Sequence, residues 1–517
     1  MKRSVKSTVQ LPSPLPPRLS WPDLPLLKAP RLGHGIVQGR MWAHDPEGVD
    51  ALALLSGRAW QLVQASDGRK AAEVIADLQQ SHGGTTESWL AELPLLWRNG
   101  LVRSPGVPAR RPQQKAERVF NTWIHLTNAC NLACPYCYIH KSKNHMSDHV
   151  VERVLAAIAA TAKQGQVERI HVRYAGGEPM LRFEAMQAFH SQATAICSEF
   201  GVQFSGAVLT NGAVVPKGAP EWLLAQGVSV SMSIDGVGEL QDVMRPVVGG
   251  GSSFARVQKG LDTYLSYGIR PYILVTVGDS NLDGLPDLTR FLLDRGLGFR
   301  YSLVRDMEWG ETVLDDRHGA EIDRSQEKPE GSSGILQGPP LRRLQKVLGD
   351  CYDLIEQAVT AQAALPQAPA LSFRRSHRFC DLELWQPIAQ ACGAGRSYVA
   401  IGDEGQVSPC QAALHREGTL PISADSLLDQ AKSQVQFGDF HRQLGNPVCN
   451  RCPHKPSCAG GCPLLLHRRE GHVNGRSPYC EVFKAVIPRI VRIAAVELLG
   501  EQRRRQAQGQ TAQAAEI

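Results

Sequence analysis

No stretch of 18 apolar residues occurs in the 517-residue sequence, so a membrane-spanning helix of ordinary length is not expected. The first twenty residues, MKRSVKSTVQLPSPLPPRLS, are basic and Pro-rich and lack the apolar core of a secretory signal peptide. The sequence also lacks a large excess of charge of either sign, because its net charge of +6 is modest for this length. These absences predict a cytoplasmic protein without a membrane association.

Cysteine, by contrast, is abundant and unevenly placed. Of the thirteen cysteines, three fall within residues 130–137 and seven lie between residues 392 and 480. In a protein that is not exported, clustered thiols are more often metal ligands than disulfides. The length predicts two to four domains.

Strand and helix patterns alternate between residues 122 and about 305. The predicted strands are Trp123–Thr127, Ile170–Tyr174, Val208–Thr210, Val228–Ile234, Ile273–Val277 and Arg300–Val304. The predicted helices cover 149–163, 183–199, 219–226, 254–266 and 285–295. This α/β alternation implies a parallel sheet, either a partial (β/α)6 barrel or an open sheet, with its site at the C-terminal ends of the strands.

The remaining segments have other patterns. Strands over 35–42 and helices over 49–65, 70–82 and 88–99 predict a winged-helix-like module. We therefore expect a disordered tail (1–29), that module (30–105), the barrel (118–305), an insertion and linker helix (306–374), a Cys-rich domain (375–485), and a C-terminal helix and tail (486–517).

The first group of cysteines has the spacing Cys130-x3-Cys134-x2-Cys137 and directly follows the first predicted strand. Thiolates are the ligands of iron–sulfur clusters, and three of them leave one iron open to bind a small molecule. The alternative is a zinc loop completed by His140 or His145.

This spacing resembles the defining motif of the radical S-adenosylmethionine (SAM) superfamily. The resemblance implies a 4Fe–4S cluster held by the three cysteines, with Tyr136 packed near the adenine of SAM. The run Gly176-Gly177-Glu178-Pro179 is similar to the family's GGEP motif, whose backbone receives the SAM amino group. At later strand ends, Thr210-Asn211-Gly212 and Ser233-Ile234-Asp235-Gly236 place polar groups near SAM, so Ser233 and Asp235 become expected SAM contacts. Arg245 is a further candidate, as a carboxylate partner.

The C-terminal cysteines resemble those of the SPASM domain of radical SAM enzymes that modify ribosomally made peptides and proteins, which implies two auxiliary 4Fe–4S clusters. The first would be bound by Cys392, Cys410 and Cys462, with Cys380 as a possible fourth ligand. The second would be bound by Cys449, Cys452, Cys458 and Cys480. Zinc ribbons are the alternative, although seven cysteines do not divide into two four-ligand zinc sites.

Residues 30–105 resemble the winged-helix peptide-binding element related to the small peptide chaperone of PQQ biosynthesis. That resemblance implies binding of a leader peptide along a sheet edge. A DNA-binding winged helix is the alternative, but no basic recognition helix is evident, so nucleic acid is not the expected partner.

The expected activity is hydrogen abstraction by a 5′-deoxyadenosyl radical, leading to a thioether or carbon–carbon crosslink in a precursor peptide or protein. An electron donor such as flavodoxin or ferredoxin would be needed. Sulfatase-maturing relatives carry a catalytic Asp directly after the second SPASM cysteine, where this chain has Gln411, which cannot accept a proton. Residue oxidation of the sulfatase-maturase kind and a non-catalytic metal-binding regulator remain the alternatives.

Overall fold

The computed structural model describes residues 20–48, 51–105, 118–139, 141–304, 313–315, 320–322, 339–367, 372–388, 391–414, 419–433, 447–470 and 475–508. Most of the predicted N-terminal tail, much of the insertion after residue 305, and the end of the C-terminal tail lie outside these residues. His140, one of the two residues considered for a zinc site, also lies outside them.

The N-terminal unit combines short strands with short helices. In chain order these are β1 Pro25–Lys28, β2 Gly33–Val37, β3 Arg40–His44, β4 Leu52–Leu55, α1 Gly57–Ala65, β5 Asp67–Lys70, α2 Ala71–His82, α3 Thr86–Leu90, α4 Leu93–Arg98 and β6 Val102–Arg103. Strands β5, β1 and β6 form one antiparallel sheet, and β2, β3 and β4 form another. The unit has its own apolar core, in which Leu62, Val74 and Trp89 are buried.

Three predictions for this unit are wrong in detail. The helix predicted over 49–65 begins late, because Leu52–Leu55 is a strand with all four side chains buried. Ser56 then caps α1, its Oγ accepting a hydrogen bond from the Ala59 N–H at 2.9 Å. A short apolar run has no periodicity that separates strand from helix. The helix predicted over 88–99 is divided into α3 and α4, and part of the predicted tail is the central strand β1.

Residues 118–304 alternate strand and helix as predicted. The elements are β7 Val119–Thr127, α5 Asp148–Lys163, β8 Arg169–Gly176, α6 Phe183–Glu199, β9 Gln203–Thr210, α7 Ala219–Gln226, β10 Ser229–Ser233, α8 Glu239–Met244, α9 Ser253–Ser266, β11 Tyr272–Val277, α10 Leu285–Asp294 and β12 Phe299–Leu303. Strands β7 to β12 pair in parallel with their neighbours in chain order, which confirms the partial barrel. Only α8 was not predicted among these elements.

The C-terminal region extends the same sheet at both edges. Its elements are β13 Val313–Asp315, β14 Ala320–Ile322, α11 Pro339–Ala363, α12 Phe373–Ser376, β15 His377–Phe379, β16 Tyr398–Ile401, β17 Gln406–Ser408, β18 Leu420–Pro421, α13 Leu427–Ser433, α14 Pro447–Asn450, α15 Lys455–Cys458, α16 Pro463–Glu470 and α17 Cys480–Ala507. Strand β15 pairs in parallel with β12, and β16 pairs in parallel with β7. The Cys-rich region is therefore attached to the barrel at two edges.

The β2–β4 sheet joins the N-terminal unit to the rest of the molecule. Trp42 and Leu54 belong to the large core that also contains the barrel and α17, whereas Ala43 and Leu55 belong to the N-terminal core. One face of this sheet thus packs against the N-terminal core and the other face packs against the large core. In the part of the chain that the structure describes, no helix is long and apolar enough to cross a membrane.

Candidate active site

The loop after β7 carries the first group of cysteines at the C-terminal edge of the parallel strands. Its backbone is held from a second loop, because the Ala133 N–H donates to the Pro246 carbonyl at 2.8 Å. The three cysteines pack in a small cluster with Leu132 and Val247, apart from the main core. The structure therefore brings Cys130, Cys134 and Cys137 together in one short loop.

The two glycines of the GGEP run lie directly against this loop. The Gly177 N–H donates to the Thr127 carbonyl at 2.7 Å. Gly176 has a φ of +119°, and a Cβ placed on it would lie 2.1 Å from the Thr127 carbonyl oxygen. A Cβ on Gly177 would lie 2.1 Å from the Ala129 carbonyl oxygen. Only glycine fits at these two positions, because the backbone of β8 and the cysteine loop are in contact.

Glu178 faces the protein interior. Its side chain is fully buried, and its carboxylate accepts hydrogen bonds from the Met180 N–H (3.0 Å), the Thr210 hydroxyl (2.8 Å) and the Asn211 N–H (2.7 Å). Burial raises the pKa of Glu178 to about 7, although the three donors oppose the shift. The carboxylate therefore fastens the end of β9 to the GGEP turn.

Tyr136, Asp235 and Arg245 form a buried polar group. One Asp235 oxygen accepts from the Tyr136 hydroxyl and from the Arg245 Nε, the latter at 2.6 Å. The other accepts from the Thr276 N–H at 2.7 Å. The guanidinium also lies 5.5 Å from the Tyr136 ring centroid. Asp235 thus links the cysteine loop to the end of β10 and holds Tyr136 in place.

One cavity of about 530 Å³ connects these groups. Its wall includes the expected SAM contacts Tyr136, Gly176, Gly177 and Ser233, together with the three cysteines, Asn211 and Arg245. Glu178 and Asp235 are not on this wall; each supports a residue that is. The volume is in the range of ordinary small-molecule sites.

The chemistry of the donor set fits an iron–sulfur cluster better than a single ion. Within the described residues, no three His, Cys, Asp or Glu side chains are arranged so that they could hold one metal ion. Ligands of an iron–sulfur cluster bind different iron atoms and so stand further apart. Burial raises the pKa of Cys130 to about 12, but it does the same for Cys197, which packs in the core. The grouping of the thiols, and not the pKa, distinguishes the cysteine loop.

The C-terminal thiols fall into two neighbourhoods. One cavity of about 210 Å³ is lined by Cys449, Cys452, Cys458 and Cys480. Burial raises the pKa of Cys392 to about 12, and the nearby thiols of Cys462 and Cys410 raise it in the same direction. Cys380 directly follows β15 with a φ of +49° and lines a small pocket with Cys458 and Cys462.

Three arginines on the cavity wall, Arg173, Arg300 and Arg378, were not predicted from the sequence. Arg173 on β8 and Arg300 on β12 both point into the barrel. From sequence alone, a charged residue within a strand is usually assigned to a solvent-exposed face of the sheet. The sequence does contain one indication for Arg173: it lies three residues before Gly176, on a strand whose other face is apolar.

Comparisons with known proteins agree with this geometry. Residues 124–292 match the radical SAM superfamily. A mycofactocin maturase, MftC, of Mycolicibacterium smegmatis is 27% identical over 371 residues, which cover 69% of this chain and 81% of that protein. A serine-type anaerobic sulfatase-maturating enzyme of Klebsiella pneumoniae is 24% identical over 348 residues, covering 66% and 80%.

The fold is also similar to that of a solved structure. Native anSMEcpe with bound AdoMet and Cp18Cys peptide aligns with a TM-score of 0.55 at 16% identity, covering 73% of this chain and 99% of that one. The match of residues 124–292 to the radical SAM superfamily and the similarity to the two maturases set aside the non-catalytic alternative. The partial barrel thus carries a radical SAM domain, which makes the protein an enzyme and implies a 4Fe–4S cluster and SAM as its cofactors.

Proposed function

We propose that this enzyme modifies a ribosomally made peptide or protein, forming a thioether or carbon–carbon crosslink. The observation that carries the proposal is that one continuous cavity is lined both by the cysteine loop and by Gln411, which directly follows Cys410. The similarity to the two maturases extends over two thirds of the chain, well beyond the barrel.

Within this proposal the cofactors supply a 5′-deoxyadenosyl radical, and the protein supplies its position and surroundings. Cys130, Cys134 and Cys137 hold the cluster. Gly176 and Gly177 would bring backbone close to the SAM amino group, and Ser233 and Tyr136, on the same cavity wall, would also contact SAM. Glu178 and Asp235 are positioning residues, since each acts through hydrogen bonds to its neighbours.

The C-terminal thiols are proposed to hold two auxiliary 4Fe–4S clusters, bringing the total to three. Cys392, Cys410 and Cys462, with Cys380, would bind the first; Cys449, Cys452, Cys458 and Cys480 would bind the second. The common cavity of the second set and the electrostatic effect of Cys462 and Cys410 on Cys392 support this division. These clusters would accept an electron from the substrate radical or bind a substrate thiol. Flavodoxin or ferredoxin would supply the electron for SAM cleavage.

The N-terminal unit is proposed to bind the leader segment of the substrate as an added strand. Strand β5 lies at the edge of its sheet, and three of its four residues are exposed. An edge of this kind offers backbone hydrogen bonds to an extended peptide. Nucleic acid is a poorer fit, because Arg58 and Arg98 are the only Lys or Arg residues in helices α1 to α4.

Residue oxidation of the sulfatase-maturase kind is the second candidate, on the similarity to that enzyme class. Gln411 reduces its support, because the side chain accepts a hydrogen bond from the Tyr398 hydroxyl at 2.6 Å and has no basic group. Over the part of the chain that the structure describes, the cavity wall also has no Asp or Glu to replace it.

Two measurements test the proposal. Anaerobic reconstitution should yield about twelve irons per chain, as three 4Fe–4S clusters require. Co-expression with a short precursor peptide encoded beside the gene should yield a product that is lighter by two hydrogens, located by mass spectrometry. A serine or cysteine oxidised to an aldehyde would favour the second candidate, and an unmodified peptide with active SAM cleavage would count against both.

A further inference from the structure

The wall of the active-site cavity has an unbalanced charge. Its basic side chains are Lys141, Arg173, Arg245, Arg300 and Arg378. Among the described residues that line it, none is Asp or Glu. A group that enters this cavity therefore meets basic side chains and no carboxylate on the described wall.

Most of these cations are already engaged by carboxylates outside the wall. Arg245 pairs with Asp235, Arg300 pairs with Asp381 at 2.6 Å, and Arg378 pairs with Glu383 at 3.0 Å. Arg173 differs from them. Its guanidinium donates to the neutral Asn121 Oδ1 at 3.0 Å, and within the described chain no carboxylate lies at ion-pair distance from it. It is thus an ion in a half-buried position without a counter-ion.

Arg173 lies deeper in the barrel than the cysteine loop. It precedes Gly176 by three residues on β8, which is about 10 Å along a strand. Burial lowers its pKa, and the positive charge of Arg300 lowers it further. The two guanidinium groups are therefore close enough to affect each other, and between them they have one carboxylate partner, Asp381, which lies outside the cavity wall.

We propose that Arg173, assisted by Arg300, binds a carboxylate group of the peptide substrate at the floor of the cavity. A guanidinium presents two parallel N–H donors that match a carboxylate, and the pair gains strength where water is excluded. The inference rests on the proposed function, in that the carboxylate belongs to a peptide. It adds that the reacting segment carries a C-terminal carboxylate or an Asp or Glu side chain.

Two other roles for Arg173 are distinguishable. The arginine could bind the carboxylate of SAM, although Gly176 and Ser233 lie nearer the cysteine loop. It could instead balance the charge of an auxiliary cluster, because Arg173 and Cys410 both affect the pKa of Tyr398 and so both lie near it. The first role predicts weaker SAM binding on replacement of Arg173, and the second predicts a changed cluster potential.

The experiment uses the reconstituted holoenzyme with SAM and without reductant, under anaerobic conditions. Four probes are titrated by ligand-observed NMR: acetyl-Ala-Ala-Ala acid, acetyl-Ala-Ala-Ala amide, acetyl-Ala-Glu-Ala amide and succinate. At least one carboxylate tripeptide should bind about tenfold or more tightly than the neutral amide. The acid form identifies a C-terminal carboxylate, and the glutamyl amide identifies a side chain.

Variants assign the preference to the arginine. Arg173→Met should remove it, Arg173→Lys should retain part of it, and Arg256→Met, on the exposed face of α9, should retain all of it. Iron content and circular dichroism check that each variant is folded. Equal binding of all three tripeptides would overturn the inference while leaving a peptide substrate in place. Binding of succinate alone, dependent on Arg173, would keep the carboxylate site and count against the peptide substrate.

Several further results would overturn the inference. The first is a preference that persists in Arg173→Met. The second is an absence of binding by all four probes. The third is an Arg173→Met variant that weakens SAM binding or shifts a cluster potential without changing the tripeptide preference.

Discussion

Replacing Gly177 by Ala tests whether the contact between the GGEP turn and the cysteine loop positions the cofactors. The added Cβ would lie 2.1 Å from the Ala129 carbonyl oxygen and 2.5 Å from its carbonyl carbon. Gly177 is not among the described residues with positive φ, so the substitution introduces a steric contact without backbone strain of that kind. The effect of the contact can therefore be measured by itself.

The size of the effect follows from the distance. Carbon and oxygen atoms that are not bonded pack at more than about 3 Å, so one backbone must move by about 1 Å. Both partners are backbone, and the Glu178 N–H also donates to the Ala129 carbonyl at 2.8 Å, so no side chain can rotate away. Overpacking of this kind costs about 1–3 kcal/mol of stability. A displacement of about 1 Å at a reacting centre costs about 100-fold in rate.

The assay is release of 5′-deoxyadenosine from SAM after reduction with dithionite, which needs no substrate. Gly177→Ala should cleave SAM about 100-fold more slowly while it keeps its iron. Gly165→Ala is the matched control: its φ is +65°, and no atom lies within 4 Å of the added Cβ. It should cost about 1–2 kcal/mol of stability and leave cleavage unchanged. A Gly177→Ala enzyme that cleaves SAM within twofold of wild type would refute the reasoning.

Three further predictions follow from the same site. Replacing Cys130, Cys134 and Cys137 together by Ala should abolish SAM cleavage and leave about eight of twelve irons, measured by iron analysis; cleavage that persists would contradict it. Asp235→Asn should lower the unfolding free energy by about 3 kcal/mol, because Arg245 loses its buried counter-charge; unchanged denaturant unfolding would contradict it. Burial raises the pKa of Glu178 from 4.5 to about 7 in the folded protein, so as pH rises this carboxyl ionises first in the unfolded chain. Its contribution to the free energy of unfolding should therefore fall by about 3 kcal/mol between these two pH values. The Gln side chain of Glu178→Gln does not titrate, so the variant does not lose stability in this way. The excess stability of the wild type over the variant should therefore become smaller from pH 5 to pH 8, and a constant difference would contradict the prediction.

The barrel was predictable because its signals are local. Five of the six strands end within two residues of a Gly, Asn or Asp, and each crossover helix has its own cap or periodicity. The motifs follow strands β7 to β10, where a parallel sheet brings them to one edge. The gathering of the cysteine loop, the GGEP run and Ser233 on one cavity wall needed no long-range information beyond this rule.

Long-range pairing was not predictable in the same way. Strands β15 and β16 are three and four residues long and pair with β12 and β7, which lie far away in the sequence. Strands of this length have no periodicity of their own. The orientation of Glu178 was hidden for a related reason, because its three donors come from two different segments of the chain.

The attachment of the Cys-rich region at both barrel edges bears on how the enzyme would work. Cys137 and Gln411 lie on one cavity wall, and Gln411 directly follows Cys410. A substrate held there lies between the group that starts the radical reaction and the thiols proposed to bind an auxiliary cluster. A Cys-rich region that served only to stabilise the fold would need no position on this wall. If the C-terminal thiols hold an auxiliary cluster, as proposed, this position would favour transfer of an electron from the substrate radical to that cluster over a purely structural role for the region.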